Sequence, residues 1–250
     1  MKFKALVLLD KKTKAAVQSF LMKTGSNKFE LENPYEELLN TDELISKLPA
    51  HYMVSEDEEI IAYGEMQCVE DGSMVFAEFE GEGKAGSELI AGMLREVKKH
   101  GFELMLPSLQ EDDGLLLLSG MKCKSVDYML TYEDKTISTY HELPKGEEFF
   151  DEESEENEGI LHGIADAEGY IICSCIVNEY DESVCISDVF TDEDHRRKGY
   201  ATILINNIIS VFGEKSIMLH VFGENEGAIS LYKKLGFVVK ERLYTYTSEG

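Results

Sequence analysis

Between an alternating apolar stretch, Val184 to Thr191, and a one-sided apolar stretch, Ala201 to Phe212, lies the hexapeptide Arg196-Arg197-Lys198-Gly199-Tyr200-Ala201. Alternation is the period of a strand. Leu204, Ile205, Ile208, Ile209 and Phe212 recur instead at the period of a helix, as one clean stripe. The chain is therefore held to a strand, a cationic turn and a helix opening. A helix opening directs unpaired backbone N–H groups and the positive end of its dipole outward. Gly199 has no Cβ and lets a ligand approach the backbone, and Ala201 is nearly as small. With three cations ahead of the turn, the block makes an anion seat suited to a phosphate or pyrophosphate. Basic residues before a helix are often only solvated, as Lys11, Lys12 and Lys14 are expected to be.

A second block narrows the chemistry. Asn225-Glu-Gly-Ala228-Ile-Ser-Leu231-Tyr232-Lys-Lys-Leu-Gly236-Phe237 reads as a helix with an N-cap at Asn225 and a stop at Gly236. Tyr232 lies two helical turns after Asn225 and so projects from the same face. Taken alone, Tyr232 reads equally as a core tyrosine and Gly236-Phe237 as a C-cap followed by a core aromatic. The first block resembles Arg/Gln-x-x-Gly-x-Gly/Ala and the second Asn-x-x-Ala-x-x-x-Tyr-x-x-x-Gly-Phe. Together, over residues 160–246, they resemble the GNAT superfamily of N-acyltransferases. The resemblance implies an acetyl-CoA site. Its pyrophosphate would sit on the amides of Arg197, Lys198, Gly199, Tyr200, Ala201 and Thr202, beside Arg196. Its pantetheine would run along the backbone of Val189, Phe190 and Thr191 and reach Asn225.

The same unit is written twice. Sliding residues 85–132 by 114 positions lays Ser87-Glu-Leu-Ile on Ala201-Thr-Ile-Leu and Met129-Leu-Thr-Tyr132 on Leu243-Tyr-Thr-Tyr246. Farther upstream, Ser73-Met-Val75-Phe76 falls on Ser187-Asp-Val189-Phe190 without a gap. The slide sets Glu82 against Arg196, Ala85 against Gly199, Glu111 against Asn225 and Leu118 against Tyr232. A glutamate repels a pyrophosphate and a leucine carries no proton, so the first copy reads as degenerate. The expected fold is mixed α/β (α+β): two tandem GNAT-like domains, each a splayed, mostly antiparallel sheet flanked by helices. They are expected to span residues 1–134 and 135–250. In the acidic linker at about 145–158, the run Glu147 to Glu158 reads as solvated loop.

Local patterns place strands near Lys4 to Leu9, Glu59 to Val69, Ser73 to Glu80 and Phe102 to Leu106 in the first half. Helices are expected at Lys11 to Met22, Pro34 to Leu48 and Gly86 to His100. The second half adds strands at Gly159 to Asp166, Tyr170 to Asn178, Ser216 to Val221 and Val238 to Tyr246.

Composition excludes partners. A formal net charge of -25 over 250 residues argues against nucleic acid. It would steer a cationic substrate toward the protein. No apolar run is long enough to span a membrane or serve as a leader, which points to the cytoplasm. Cys68, Cys123, Cys173, Cys175 and Cys185 are odd in number, lack metal-ligand spacing and sit mostly in strand-like runs, so free buried thiols and no metal are expected.

Acyl transfer from a thioester to an amine needs a free amine lone pair, donors for a developing oxyanion and a proton for the departing thiolate. The resemblance makes Tyr232 the acid. The base is open. Cys185 stands where some family members carry a glutamate, and Asp188 is a candidate base or a structural acceptor. His195 is expected to be exposed, and His220 could face the cleft or be a satisfied core residue. The implied acceptor is a small-molecule or peptide amine. A non-catalytic acyl-CoA-binding sensor or partner-binding protein is the alternative.

Overall fold

The computed structural model describes residues 1–26, 29, 31, 48–68, 74–133, 143–153 and 159–248. The chain divides into two compact units: Met1–Ser125 together with Leu243–Gly250, and Val126–Arg242.

The first unit runs β1 (Lys2–Leu6), α1 (Lys11–Thr24), β2 (His51–Glu56), β3 (Glu59–Cys68), β4 (Met74–Glu80), α2 (Gly83–His100), β5 (Glu103–Ser108) and α3 (Gly114–Leu118). Asp10 caps α1 through the amide of Thr13, and Gly25 ends it in the left-handed conformation. β1 to β4 pair antiparallel in order, and β4 pairs with β5 in parallel. The sequence patterns had not singled out β2. The helix expected at 34–48 lies almost wholly outside the described residues.

A further strand, β6 (Lys122–Tyr132), carries the chain from the first unit into the second. There follow β7 (Glu147–Glu153), β8 (Ile160–Asp166), β9 (Ile171–Glu179), β10 (Ser183–Thr191), a short 3-10 turn at Glu193–His195, α4 (Tyr200–Phe212), β11 (Ser216–Phe222), α5 (Glu226–Lys234) and β12 (Phe237–Thr247). β7 to β10 pair antiparallel in order, and β10 pairs with β11 in parallel. Each unit is thus mixed α/β, with a mostly antiparallel sheet and flanking helices.

The units do not divide at residue 134. Residues Asp127–Thr131 of β6 pair with β11, and residues Tyr244–Thr247 of β12 pair with β5. The first half of the sequence therefore supplies a strand to the second unit, and the C-terminal end supplies one to the first. Hydrogen-bonded pairing, rather than chain order, sets the division.

The acidic run is also different from expectation over its described part: residues 147–153 are a strand, not a loop, and 154–158 lie outside the described residues. Phe149 packs against the core, and Phe150 pairs with Gly163. A Cβ built on Gly163 would clash with the edge of the Phe150 ring and lie 3.0 Å from the carbonyl oxygen of Cys173. The acidic side chains Glu148, Asp151, Glu152 and Glu153 are exposed, as suits the last strand of a sheet. β7 thus lies within the expected linker and pairs with β8. Gly163→Ala is expected to destabilise the second unit by about 1–3 kcal/mol through overpacking. A denaturant midpoint that fails to fall would contradict this packing.

Nor does the repeat run without a gap. Under a slide of 114, Glu103 falls on Ile217. Glu103 pairs with Met74, whereas Ile217 pairs with Val184. The strand before the helix is therefore offset by 110, and the second copy carries four extra residues between Val184 and Ile217, the bulge of β10 among them. Likewise Asp113, not Glu111, occupies the N-cap of α3, as Asn225 does that of α5.

Candidate active site

The second unit's core is built from the buried face of α4 over β8, β9 and β10. Tyr200, Leu204, Ile205, Ile208 and Ile209 pack there with Ile164, Cys173, Cys175, Val184, Ile186, Ile217 and Leu219. That packing fixes the N-terminus of α4 at the end of β10. Gly199 is its N-cap, at φ 96, with no side chain capping the helix. The first-turn amides of Tyr200, Ala201 and Thr202 are thus left without side-chain partners. A Cβ added at Gly199 would meet nothing within 4 Å. Arg197 also has positive φ, 63°. An open, uncapped helix start with left-handed residues before it fits an anionic phosphate group.

Asp192 holds this loop. Its Oδ1 accepts from the amide of Asp194 at 3.0 Å and lies 2.8 Å from Nδ1 of His195. Its Oδ2 accepts from the Tyr170 hydroxyl at 2.7 Å. His195 and Tyr170, in that order, hold the carboxyl below its ordinary 3.8. His195 is half-buried rather than exposed, with its ring edge-on to Tyr200 at 5.7 Å. Tyr200 in turn donates to Glu147 Oε1 at 2.7 Å. Asp192, Tyr170 and Glu147 were not anticipated as parts of the site, because nothing local in the sequence ties them to the loop.

Arg196 is committed to the same scaffold. Its Nε donates to the carbonyl of Thr191 at 3.0 Å, and its Nη1 lies 3.4 Å from Glu193. Arg197 and Lys198 are exposed. Because the folded carboxyl of Asp192 is lowered, its contribution is full above pH 3.8 and is lost as acid takes it through the lowered value. Acidification below about pH 4 is therefore expected to loosen the loop, read as faster amide exchange at residues 194–199. Unchanged exchange there would contradict Asp192 as the anchor.

The cleft opens where two strands part. β10 and β11 pair from Ser183↔Ser216 to Ile186↔Leu219 and no further. Beyond that point β10 shifts register against β9 between Ser187 and Phe190. Asp188 sits in the bulge at φ 51. Its carboxylate is exposed and accepts from Ser187 Oγ at 3.0 Å. Val189 packs against the core, Phe190 is exposed and Thr191 Oγ1 lies 3.3 Å from Cys173 Sγ. A parallel pair that separates leaves backbone amides and carbonyls without strand partners, which is what an amide-bearing extended ligand requires.

Asn225 caps α5, with its Oδ1 accepting from the amide of Ala228 at 3.1 Å. That leaves the side-chain NH2 as its remaining donor. Tyr232 is 4% exposed and meets Phe237 edge-on at 6.0 Å. Burial, then Cys175 and Cys173, push its hydroxyl up to about 12. Among the described residues the hydroxyl has no hydrogen-bond partner. Burial likewise pushes the Cys175 thiol up to about 12 and raises Cys173 and Cys185. Cys123 is exposed, unlike the other described cysteines, and all four are unbridged. Among the described residues no cluster of His, Cys, Asp and Glu is placed to hold a metal, and no helix is long and apolar enough to cross a membrane.

Parting parallel strands, a glycine-opened helix at their end and a tyrosine-bearing helix beside them define an acetyltransferase fold. Residues 127–237, most of the second unit, match the model of the acetyltransferase (GNAT) family. An uncharacterized N-acetyltransferase of Methanocaldococcus jannaschii is 42% identical over 79 residues, covering 29% of this chain and 35% of that relative. A GCN5-related N-acetyltransferase from Sphaerobacter thermophilus superposes with TM-score 0.66 at 14% identity, over 99% of this chain and 95% of its own. A tandem GNAT protein from the clavulanic acid biosynthesis pathway gives 0.64 at 12% identity, over 99% and 98%. The chain thus shares its fold with a tandem GNAT protein along almost its whole length.

Proposed function

We propose that this protein transfers an acetyl group from acetyl-CoA to a primary amine, with its site in the second unit. The observation that carries the reading is the coincidence of the uncapped α4 start with the parting of β10 and β11. One feature seats a pyrophosphate and the other an extended pantetheine arm. Acetyl-CoA would supply the activated thioester. The amides of Arg197 to Thr202 would hold the pyrophosphate, and the backbone of Val189, Phe190 and Thr191 the pantetheine. Asn225 would donate its side-chain NH2, and Tyr232 would hold a proton at the leaving sulfur. The tie of Arg196 to Thr191 and Glu193 makes it a shaper of the loop as much as a direct phosphate contact. Asp188 lies at the bulge, within the same stretch of β10.

Among the described residues of the first unit we read no matching site. Counted from the matching N-caps, Asp113 and Asn225, the position of Tyr232 falls on Gly120, which carries no hydroxyl. The unit's strand-to-helix connection, from Glu80 to Gly83, is shorter than that from Thr191 to Tyr200. We read it as a degenerate copy without an active site. The acceptor we favour is a small cationic amine, since a net charge of -25 draws cations. A peptide amine meets the same chemistry. The unbridged thiols suit a reducing compartment, the cytoplasm.

Incubation with acetyl-CoA and a panel of amines, peptides and aminoglycosides tests the reading. Mass spectrometry is expected to find an acetylated amine formed only in the presence of the protein. Acetyl-CoA bound without any acetylated product would favour the non-catalytic sensor instead.

A further inference from the structure

β11 carries His220 one residue beyond its last pairing with β10, where the cleft opens. Ile217, Leu219 and Val221 of β11 are buried, in the cluster that also holds Tyr232. Side chains alternate along a strand, so His220 projects from the opposite face. It is 41% exposed there, which excludes a satisfied core histidine. Cys185, the β10 position where some family members carry a glutamate, pairs with Met218 and so shares that face. Across the sheet, Met129 of β6 pairs with His220, and Asp127, two residues earlier, lies on the same face. Asp127 Oδ2 is 3.9 Å from His220 Nε2. Asp127 is 9% exposed, and its Oδ1 is buried with no hydrogen-bond partner. Burial raises its carboxyl, and His220 offsets this.

A buried, half-partnered carboxylate behind an exposed imidazole at the mouth of the cleft has one economical use. We infer that His220 is the general base of the acetyl transfer and that Asp127 is its positioning residue. The inference rests on the acetyltransferase reading above. Asp127 favours the tautomer with hydrogen on Nε2, which leaves Nδ1 with the lone pair. The ammonium form of the substrate gives one proton to Nδ1, and neutral His220 becomes imidazolium. The freed nitrogen lone pair forms the C–N bond as the C–S bond breaks, and the second proton that the nitrogen then loses ends on the departing thiolate, leaving the amide, free coenzyme A and the imidazolium. Tyr232 attends the sulfur from the other face of the sheet. The proton acceptor and the proton donor thus stand on opposite sides of the opening. Asp188, by contrast, is exposed and already accepts from Ser187. Other charged or titratable groups along this face of the neighbouring strands are Cys185 on β10 and Glu133 just past β6, which pairs with Lys240.

The test is the pH dependence of kcat/KM for an accepted amine, with acetyl-CoA affinity measured in parallel, for wild type, His220→Gln and Asp127→Asn. His220→Gln is expected to lose roughly 10²–10⁴-fold at neutral pH. It should keep its acetyl-CoA affinity and replace the acidic limb by a rate that climbs with the free-amine fraction. Asp127→Asn is expected to move the acidic limb to lower pH, because removing the anion destabilises the imidazolium. A merely structural role would lower the rate without moving the limb. If His220→Gln keeps the wild-type rate and limb, the inference falls and the acetyltransferase reading stands. If the wild type binds no acetyl-CoA, both fall.

Discussion

Tyr232→Phe is expected to lower turnover by roughly 10²–10⁴-fold while leaving acetyl-CoA affinity nearly unchanged. The hydroxyl is needed only as sulfur takes on charge, so its loss acts on the transition state and not on the ground state. The environment of the phenol refines its role. With its pKa pushed up to about 12 by burial, Tyr232 stays protonated throughout the physiological range. A thiol has a pKa of about 8.5, so complete transfer from this phenol to the thiolate would be uphill by about 5 kcal/mol. On the proposed function, Tyr232 would therefore act as a hydrogen-bond donor that strengthens as the C–S bond opens. Phe237, which meets its ring edge-on at 6.0 Å, would accept a phenylalanine without rearrangement. Pre-steady-state measurement of the chemical step checks this. A variant running at wild-type speed in that step would make Tyr232 a core residue and nothing more.

The second large effect is expected at Gly199. Gly199→Glu should weaken acetyl-CoA binding by at least about a hundredfold. Two effects contribute. Left-handed φ costs a side-chain-bearing residue about 1–2 kcal/mol. A carboxylate some 4 Å from a phosphate adds about 4 kcal/mol of repulsion at an effective dielectric constant near 20. Gly199→Ala separates them, since a methyl group there meets nothing within 4 Å and brings only the strain. Isothermal titration of both variants should therefore rank glutamate far below alanine. Equal losses would show that backbone strain, and not an anion seat, is what Gly199 is for.

Much of this was legible in the sequence for physical reasons that can be named. The stripe from Leu204 to Phe212, the cap at Asn225 and the stop at Gly236 are local signals, and the structure places α4 and α5 within a residue or so of where those signals put them. The parting of β10 from β11 followed from the family resemblance and not from any single residue. What was not legible is non-local. An alternating pattern says which face of a strand is buried but not which strand lies beside it. So the entry of β6 into the second unit, and of the end of β12 into the first, left no trace. The Asp127–His220 pair depends wholly on that pairing and was hidden with it. β7 was masked by composition: its acidic residues read as solvated loop, while the two that build it, Phe149 and Phe150, are outnumbered. The ungapped repeat failed between Val184 and the helix that follows, because a bulge and an exposed turn carry no periodicity that would reveal extra residues.

The central claim is that one acetyl-CoA site exists and that the second unit alone builds it. Titration of the whole protein with acetyl-CoA, followed by backbone amide NMR shifts, tests it most directly. The account predicts saturation at one molecule per chain, with the largest shifts at Gly199 to Thr202 and along Val189 to Thr191. Saturation at two molecules per chain, or shifts centred on residues 81–87 of the first unit, would contradict it.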